Sequence, residues 1–141
     1  MSTPLYTTEI LRLAASLREW HALEREDGRA EMRSPTCGSR VTISVQLDHD
    51  RRVEAISQRV HACAFGQASA ALLERHAIGR AHDEIGEALI LLSRWLADGH
   101  EDACWPGIQA LEPARSRRPR HGAILLPFRT LLAAMDAASV G

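Results

Sequence analysis

The sequence has no apolar run long enough to cross a bilayer; the longest, such as Ala88–Leu92, are only a few residues. Residues 1–20 also lack the basic region and continuous apolar stretch of a secretory signal, so we expect a cytoplasmic protein with no membrane partner. Cysteine is scarce: three residues, an odd number, argue against a disulfide framework and for free thiols, metal ligands or nucleophiles.

Common catalytic and ligand-binding motifs are missing as well. The sequence contains no Cys-x-x-Cys pair, no glycine-rich phosphate loop, no His-Glu-x-x-His zinc motif and no Gly-x-Ser-x-Gly nucleophile turn. The net charge of -1 is not that of a general nucleic-acid binder, which is usually clearly basic. Spacing alone therefore indicates a globular domain with a candidate thiolate site and excludes the commoner enzyme classes that these motifs mark.

The composition that is present fits one globular domain. The 141 residues are 45% hydrophobic and 25% charged, which is enough to build a core without disulfides or a structural metal. We expect one domain to span residues 1–141.

Two periodicities organise this domain. An alternating apolar pattern predicts a β-hairpin over residues 41–60, and residues 29–35 are a candidate third strand. Pro127 should lie within or near the first turn of the last helix, because a mid-helix proline costs about 3 kcal/mol. The order of elements predicts an α+β fold, with helices packed on one face of a small three-stranded antiparallel sheet. Helical spacing predicts helices over residues 5–21, 64–77, 82–97 and 122–138, with one more turn at 108–111.

Cys37 and Cys63 lie just outside the two ends of this hairpin, and antiparallel pairing should make them neighbours in space. Pro35 and Gly38 place Cys37 on a tight loop, where its sulfur can face solvent or a metal. Cys63 stands where a strand becomes a helix, and the positive end of a helix stabilises a thiolate. The alternatives are a half-buried loop thiol at Cys37 and a small apolar core residue at Cys63.

Three further features are candidates for function. His121 opens the last helix and is a candidate third metal ligand or proton carrier, although a lone histidine is more often a surface or satisfied residue. The apolar neighbours of Cys104 favour packing over a ligand role. The arginine-rich segment Arg115–His121 is either a solvated loop or a docking site for an acidic partner. No aromatic residue is interleaved to stack on bases, so we expect no nucleic-acid partner.

The two cysteine segments, in this order around a hairpin, resemble those of the NifU/IscU/SufU family of iron–sulfur cluster assembly scaffolds. Pro35–Ser39 resembles the family's Pro-x-Cys-Gly-Asp loop, and Ala62–Ala70 resembles its Gly-Cys-x-x-x-x-Ala-Ser segment in a form close to SufU. His121–Leu125 is similar to the last-helix segment His/Lys-Cys-Ser/Ala-x-Leu, and Leu5-Tyr6 matches an N-terminal Leu-Tyr. The resemblance runs from residue 5 to residue 135.

The resemblance implies a scaffold rather than an enzyme. Such scaffolds hold a transient [2Fe–2S] cluster or a zinc ion through three cysteines and an aspartate, and they accept sulfur from a cysteine desulfurase. Cys37 and Cys63 carry over to two ligand positions, whereas the aspartate is Ser39 and the third cysteine is Gly122. Cys37, Cys63 and His121 remain as candidate metal or cluster ligands, with Cys63 or Cys37 as the sulfur acceptor. With this incomplete set, the isolated protein can be metal-free.

Two functions from different classes follow. The first is a SUF-type scaffold or sulfur- and cluster-transfer protein with an incomplete ligand set. The second is a metal-free accessory protein that docks on a cysteine desulfurase or SUF complex through Arg115–His121. An unrelated thiol enzyme that uses Cys63 is a weaker third hypothesis. The Leu-Pro-Pro-Val-Lys segment that IscU presents to its chaperone is replaced by arginine-rich sequence, so we expect no IscU-type chaperone partner.

Overall fold

A computed structural model describes residues 6–35, 38–98 and 105–138. Within them, strands precede most of the helices, as the sequence predicts for an α+β fold. The elements in chain order are α1 (Thr8–Ser16), β1 (Gly28–Arg33), β2 (Arg40–Leu47), β3 (Val53–His61), α2 (Ala64–His76), α3 (His82–Asp98), 3₁₀ turns at Ile108–Ala114 and Arg118–Arg120, and α4 (His121–Ala138).

The three strands form an antiparallel sheet in the order β1-β2-β3, which confirms the predicted architecture. One face of the sheet is apolar and carries Val41, Ile43 and Val45 of β2, all fully buried. Helix α4 packs against β1 and β2 on this face, and α2 packs against β3. The period-two alternation of β2 thus places its apolar residues under the helices, as expected for a strand with one face on the core.

The opposite face of the sheet is covered as well, by a loop rather than by helices. The polar residues that alternate along β2 are also buried, namely Thr42, Ser44 and Gln46. Residues 17–27 cross this face, where the backbone N–H of His21 donates to the Ser57 hydroxyl at 2.9 Å. The N–H of Arg25 donates to the Gln46 side-chain oxygen at 3.1 Å. These hydrogen bonds satisfy polar groups that the loop removes from water.

The first helix is shorter than the sequence predicts. The predicted helix over residues 5–21 ends at Ser16, and Leu17 already has an extended backbone. The Trp20 ring instead contacts two guanidinium groups: its centroid lies 5.0 Å from Cζ of Arg29 and 4.8 Å from Cζ of Arg59. The prediction beyond residue 16 was wrong because these cation–π contacts hold the indole over the sheet rather than on a helix face.

The last helix differs from prediction in the position of its proline. Helix α4 begins at His121, so Pro127 lies in its second turn rather than in or near the first. Proline has no N–H to donate to the carbonyl of Ala123, four residues earlier. The helix continues nonetheless, because it buries Phe128 and Leu131 completely. Helices α2 and α3 match prediction within two residues at each end, and the turn predicted at 108–111 extends to Ala114.

Candidate functional site

A six-residue loop joins β1 to β2 at one end of the sheet, which we call the site end. It is closed by two backbone hydrogen bonds, from the Ser34 N–H to the Ser39 carbonyl at 2.9 Å and from the Gly38 N–H to the Ser34 carbonyl at 3.0 Å. Gly38 has a φ of 72°, a left-handed conformation that glycine adopts without strain. Cys37 and Thr36 lie outside the described residues. The end of this loop at Ser39 nevertheless leads into Arg40, which pairs with His61 at the end of β3.

Cys63 is positioned by the register of β2 and β3. Arg40 at the start of β2 pairs with His61 at the end of β3, so Cys63 follows the sheet at the same end as the loop. It is the N-cap residue of α2, half-buried, and its thiol makes no capping hydrogen bond. The first turn of α2 carries no acidic residue. The prediction that Cys63 stands at the strand-to-helix junction is confirmed. Its partnership with Cys37 stays a prediction.

The first turns of α2 and α4 meet beside Cys63. A Cβ added at Gly66 would lie 2.6 Å from the Ala62 Cβ and 3.3 Å from the Ala123 Cβ, so only glycine allows this approach. The Ser69 hydroxyl then donates to the Ile124 carbonyl at 2.6 Å. This packing brings the start of α4, and with it Gly122, to the site end. Gly66 was not predicted from the sequence as a contact residue, although an isolated glycine in a helical pattern is a signal of close packing.

His121 is the first residue of α4 and is half-buried. Its Nε2 lies 3.0 Å from the carbonyl oxygens of both Ala114 and Arg115. Carbonyl oxygens only accept hydrogen bonds, so Nε2 must carry the proton and donate it. The imidazole therefore ties the arginine-rich segment to the start of α4. Only Nδ1 has a lone pair left for a metal, which restricts the predicted ligand role of His121 to that atom.

The structure contains no complete metal site among the residues that it describes. No three histidine, cysteine, aspartate or glutamate side chains in those ranges lie close enough to share an ion. The predicted set of Cys37, Cys63 and His121 includes a residue outside the described ranges and so stays a prediction, as does the role of Cys104. Ser39, where the resembling scaffolds have aspartate, is buried with 4% of its surface exposed.

The arginine-rich segment divides into an anchored part and an exposed part. The guanidinium of Arg115 stacks on the Trp95 ring, 5.0 Å from its centroid. Arg117 and Arg118 are exposed, Arg120 is half-exposed, and none of the three forms an ion pair with another described residue. If this segment docks a partner, these three arginines rather than Arg115 are free to do so.

The family model of the NifU-like N-terminal domain matches residues 5–91. The chain belongs to this family. The matched region contains both Cys37 and Cys63, and it ends before His121 and Gly122. The family predicted from the sequence is thus confirmed.

Solved structures share this fold over nearly the whole chain. A nitrogen-fixing NifU-like protein (N-terminal) from Brucella abortus has a TM-score of 0.86 at 28% identity, covering 96% of this chain and 95% of that one. A putative iron–sulfur cluster assembly scaffold protein for the SUF system from Fervidobacterium islandicum AW-1 has a TM-score of 0.79 at 23% identity, covering 93% and 96%. At that identity the second likeness shows the fold alone. No curated protein matches the chain.

None of the helices in the described ranges is both long and apolar enough to span a membrane.

Proposed function

We propose that this chain is a SUF-type scaffold for iron–sulfur cluster assembly or sulfur transfer that works in the cytoplasm with an incomplete set of its own ligands. In this proposal, residues 1–141 act as one domain and do not catalyse a reaction on a small molecule. The observation that supports it best is the position of Cys63, a free thiol at the N-cap of α2 beside the 34–39 loop, in a NifU-like chain.

The sulfur step needs only a thiolate and a persulfide donor. The Cys63 thiolate attacks the outer sulfur of a persulfide on a cysteine desulfurase, and a new S–S bond forms at Cys63. The donor's own S–S bond breaks, and the donor cysteine leaves as a thiolate, so no external oxidant or reductant is required. Cys37 is the alternative acceptor, because its loop opens at the same end of the sheet.

The cargo, a [2Fe–2S] cluster or a zinc ion, is held in this proposal by Cys37, Cys63 and Nδ1 of His121. Thiolate and imidazole suit both iron and zinc. Serine at position 39 is a poor ligand and glycine at position 122 offers none, so a fourth ligand must come from water or a partner. We expect weaker retention than in a scaffold with a complete set, and a metal-free protein on isolation.

Anaerobic reconstitution with iron and sulfide, followed by elemental analysis and absorbance, tests the cargo proposal. We expect iron to bind the wild-type protein and the Cys104→Ser variant, and to be lost from Cys37→Ser and Cys63→Ser. The Cys104→Ser variant is the matched control because it removes the third thiol of the chain. Unchanged metal binding in a double Cys37→Ser, Cys63→Ser variant would rule this proposal out.

Restoring the missing ligands should have the opposite effect. The double substitution Ser39→Asp, Gly122→Cys supplies a carboxylate and a thiolate at the positions where the resembling scaffolds have them. We expect zinc affinity to rise roughly tenfold or more, measured by competition with a chromogenic chelator. The control is Gly86→Cys, which adds a thiol to α3 where the nearest atom is 4.0 Å from the new Cβ. An equal gain in both variants would mean that any added thiol binds zinc.

The second candidate is a metal-free accessory protein that docks on a cysteine desulfurase or SUF complex. The exposed arginines of the segment favour it, together with the loss of two ligand positions at Ser39 and Gly122. It predicts no metal after reconstitution and loss of desulfurase binding when Arg117, Arg118 and Arg120 are changed to glutamate. If Cys63 alkylation instead abolishes a hydrolytic or transfer activity in a substrate screen, the thiol-enzyme hypothesis replaces both.

A further inference from the structure

Three cationic or titratable side chains form a row across the site end of the sheet. Arg33, the last residue of β1, pairs with Arg40, the first residue of β2, and Arg40 pairs with His61, the last residue of β3. Residues that pair across antiparallel strands project from the same face of the sheet. We call these three residues the basic row. With neighbouring strands about 4.8 Å apart, it spans about 10 Å.

The stability of the sheet does not explain this row. Like charges directly opposite each other on adjacent strands are destabilising. The carboxylate nearest to Arg40 is that of Glu31, at 3.8 Å, and Glu31 also accepts a hydrogen bond from the Thr42 hydroxyl at 3.0 Å. Arg33 makes no ion pair with any residue in the described ranges. The fold therefore places two guanidinium groups together without a matching number of carboxylates.

The loop that covers the polar face of the sheet stops short of the basic row. Trp20 lies in that loop and contacts Arg29 and Arg59. Counted along this face from the basic row, Arg59 is one residue pair and Arg29 two residue pairs further from the site end. Arg33 and His61 are exposed, and 39% of the Arg40 side chain is accessible. The row is thus open to solvent, and it borders both the 34–39 loop and Cys63 directly along the chain.

We propose that the basic row is a docking surface for an acidic segment of a protein partner. A single phosphate or sulfate reaches at most a neighbouring pair of guanidinium groups, whereas three guanidinium groups, those of Arg33, Arg40 and Arg59, lie on this face and are at least partly exposed. Several carboxylates spaced along a polypeptide match this extent. A partner bound here lies next to the 34–39 loop and Cys63. The docking needs neither a thiolate nor a metal, so it holds or fails independently of the proposed sulfur transfer.

Amide chemical shifts of ¹⁵N-labelled protein, titrated with hexaglutamate, provide the test. We expect the shifts to cluster at Arg33, Arg40 and His61 and to weaken as NaCl is raised, because salt screens exposed charges. The same titration in a Cys63→Ser variant should give the same affinity, which separates this proposal from the chemistry of the thiol. Shifts confined to residues 117–120 would place the acidic peptide on the arginine-rich segment and overturn the proposal.

Paired variants make the test specific to the row. Arg33→Gln, Arg40→Gln should weaken hexaglutamate binding by about fivefold, as expected for two exposed charge contacts. Arg94→Gln, Arg129→Gln removes the same charge from exposed helix positions and should leave the affinity unchanged. Equal weakening in both double variants would show attraction by net charge alone. Inorganic phosphate that binds the row as tightly as hexaglutamate would show a small-anion site instead.

Discussion

The two ends of the sheet use charged residues in opposite ways. At the far end, around the turn between β2 and β3, charges are paired closely: Arg52 lies 2.6 Å from Glu84 and also donates to the Gly79 carbonyl at 2.9 Å. Asp27 accepts from the Leu47 N–H at 2.7 Å. At the site end, the closest ion pair of the basic row is the 3.8 Å contact to Glu31.

The charged groups at the far end bind one another and stabilise the fold, whereas those at the site end are available to a ligand. The pKa of Asp27 is lowered by its hydrogen bonds to Arg25 and to the Leu47 backbone, and that of Glu84 by the Ala81 N–H and then by Arg52. The first carboxylate ties residues 25–27 to the end of β2, and the second fixes the start of α3. The site end lacks ion pairs this close among the described residues, and its guanidinium groups are at least partly exposed.

Breaking the backbone packing at the far end should have the largest effect on stability. A Cβ at Gly28 would overlap the carbonyl oxygen of Ala134 and lie 2.9 Å from the Ala138 N, so β1 and α4 would have to separate. We expect Gly28→Ala to lower the free energy of unfolding by about 3 kcal/mol, measured by urea denaturation. Gly86→Ala, in the open middle of α3, should instead raise it by about 0.5 kcal/mol. Similar values for both would contradict the close contact at Gly28.

Removing one charge at the far end should have a smaller effect. Asp27→Asn weakens the contacts to Arg25 and Leu47, and we expect a loss of about 1 kcal/mol at neutral pH in the same assay. Because folding lowers the Asp27 pKa, its contribution is present above the carboxyl's ordinary pKa and is lost as the pH falls through the lowered value. The difference between variant and wild type should therefore shrink in acid.

The matched control for that charge is Asp50→Asn. Asp50 lies in the turn between β2 and β3, at the same end of the sheet as Asp27; it is exposed, and its side chain makes no ion pair with the described residues. We expect a change within 0.5 kcal/mol, which is about the usual limit for an exposed substitution. A loss equal to that of Asp27→Asn would mean that net charge, rather than the Asp27 hydrogen bonds, stabilises the far end.

Neutralising the basic row should have the smallest effect on stability and the opposite sign. Arg33→Gln, Arg40→Gln relieves a repulsion between opposed strands, and we expect the free energy of unfolding to rise by about 0.5 kcal/mol. The Arg94→Gln, Arg129→Gln control should change it by less. A clear loss of stability in the row variant alone would show that these arginines support the fold, and the contrast between the two ends would disappear.

Much of the fold follows from local sequence. The alternation in β2 and the helical spacing of α2, α3 and α4 locate these elements, because each buries one regular face. The helical spacing does not predict the structure at Trp20 or the position of Pro127 within its helix, because contacts between residues distant in sequence determine both. Arg29 and Arg59 hold the Trp20 ring over the sheet, and burial of the surrounding helix face accommodates Pro127 within α4. The burial of the polar face under residues 17–27 has no periodic signal.

The candidate site could be predicted in part. The order of the cysteine segments around a hairpin places Cys63 correctly, because the register of an antiparallel pair brings its ends together. The hydrogen bonds of His121 to the preceding carbonyls could not be inferred, since they depend on how the 3₁₀ turns fold back on α4. The basic row could not be predicted either, because its residues are separated in sequence and only the strand register shows that they are neighbours.

Sulfur uptake from a cysteine desulfurase tests the central claim most directly. The protein is incubated with the desulfurase and L-cysteine, and bound sulfur is located by mass spectrometry of peptides from the non-reduced protein. We predict a persulfide on Cys63 or Cys37 in the wild type and in Cys104→Ser, and none in the double Cys37→Ser, Cys63→Ser variant. Equal sulfur uptake by the double variant, or a persulfide found only on Cys104, would contradict the assignment of the site end as the sulfur-accepting part of this scaffold.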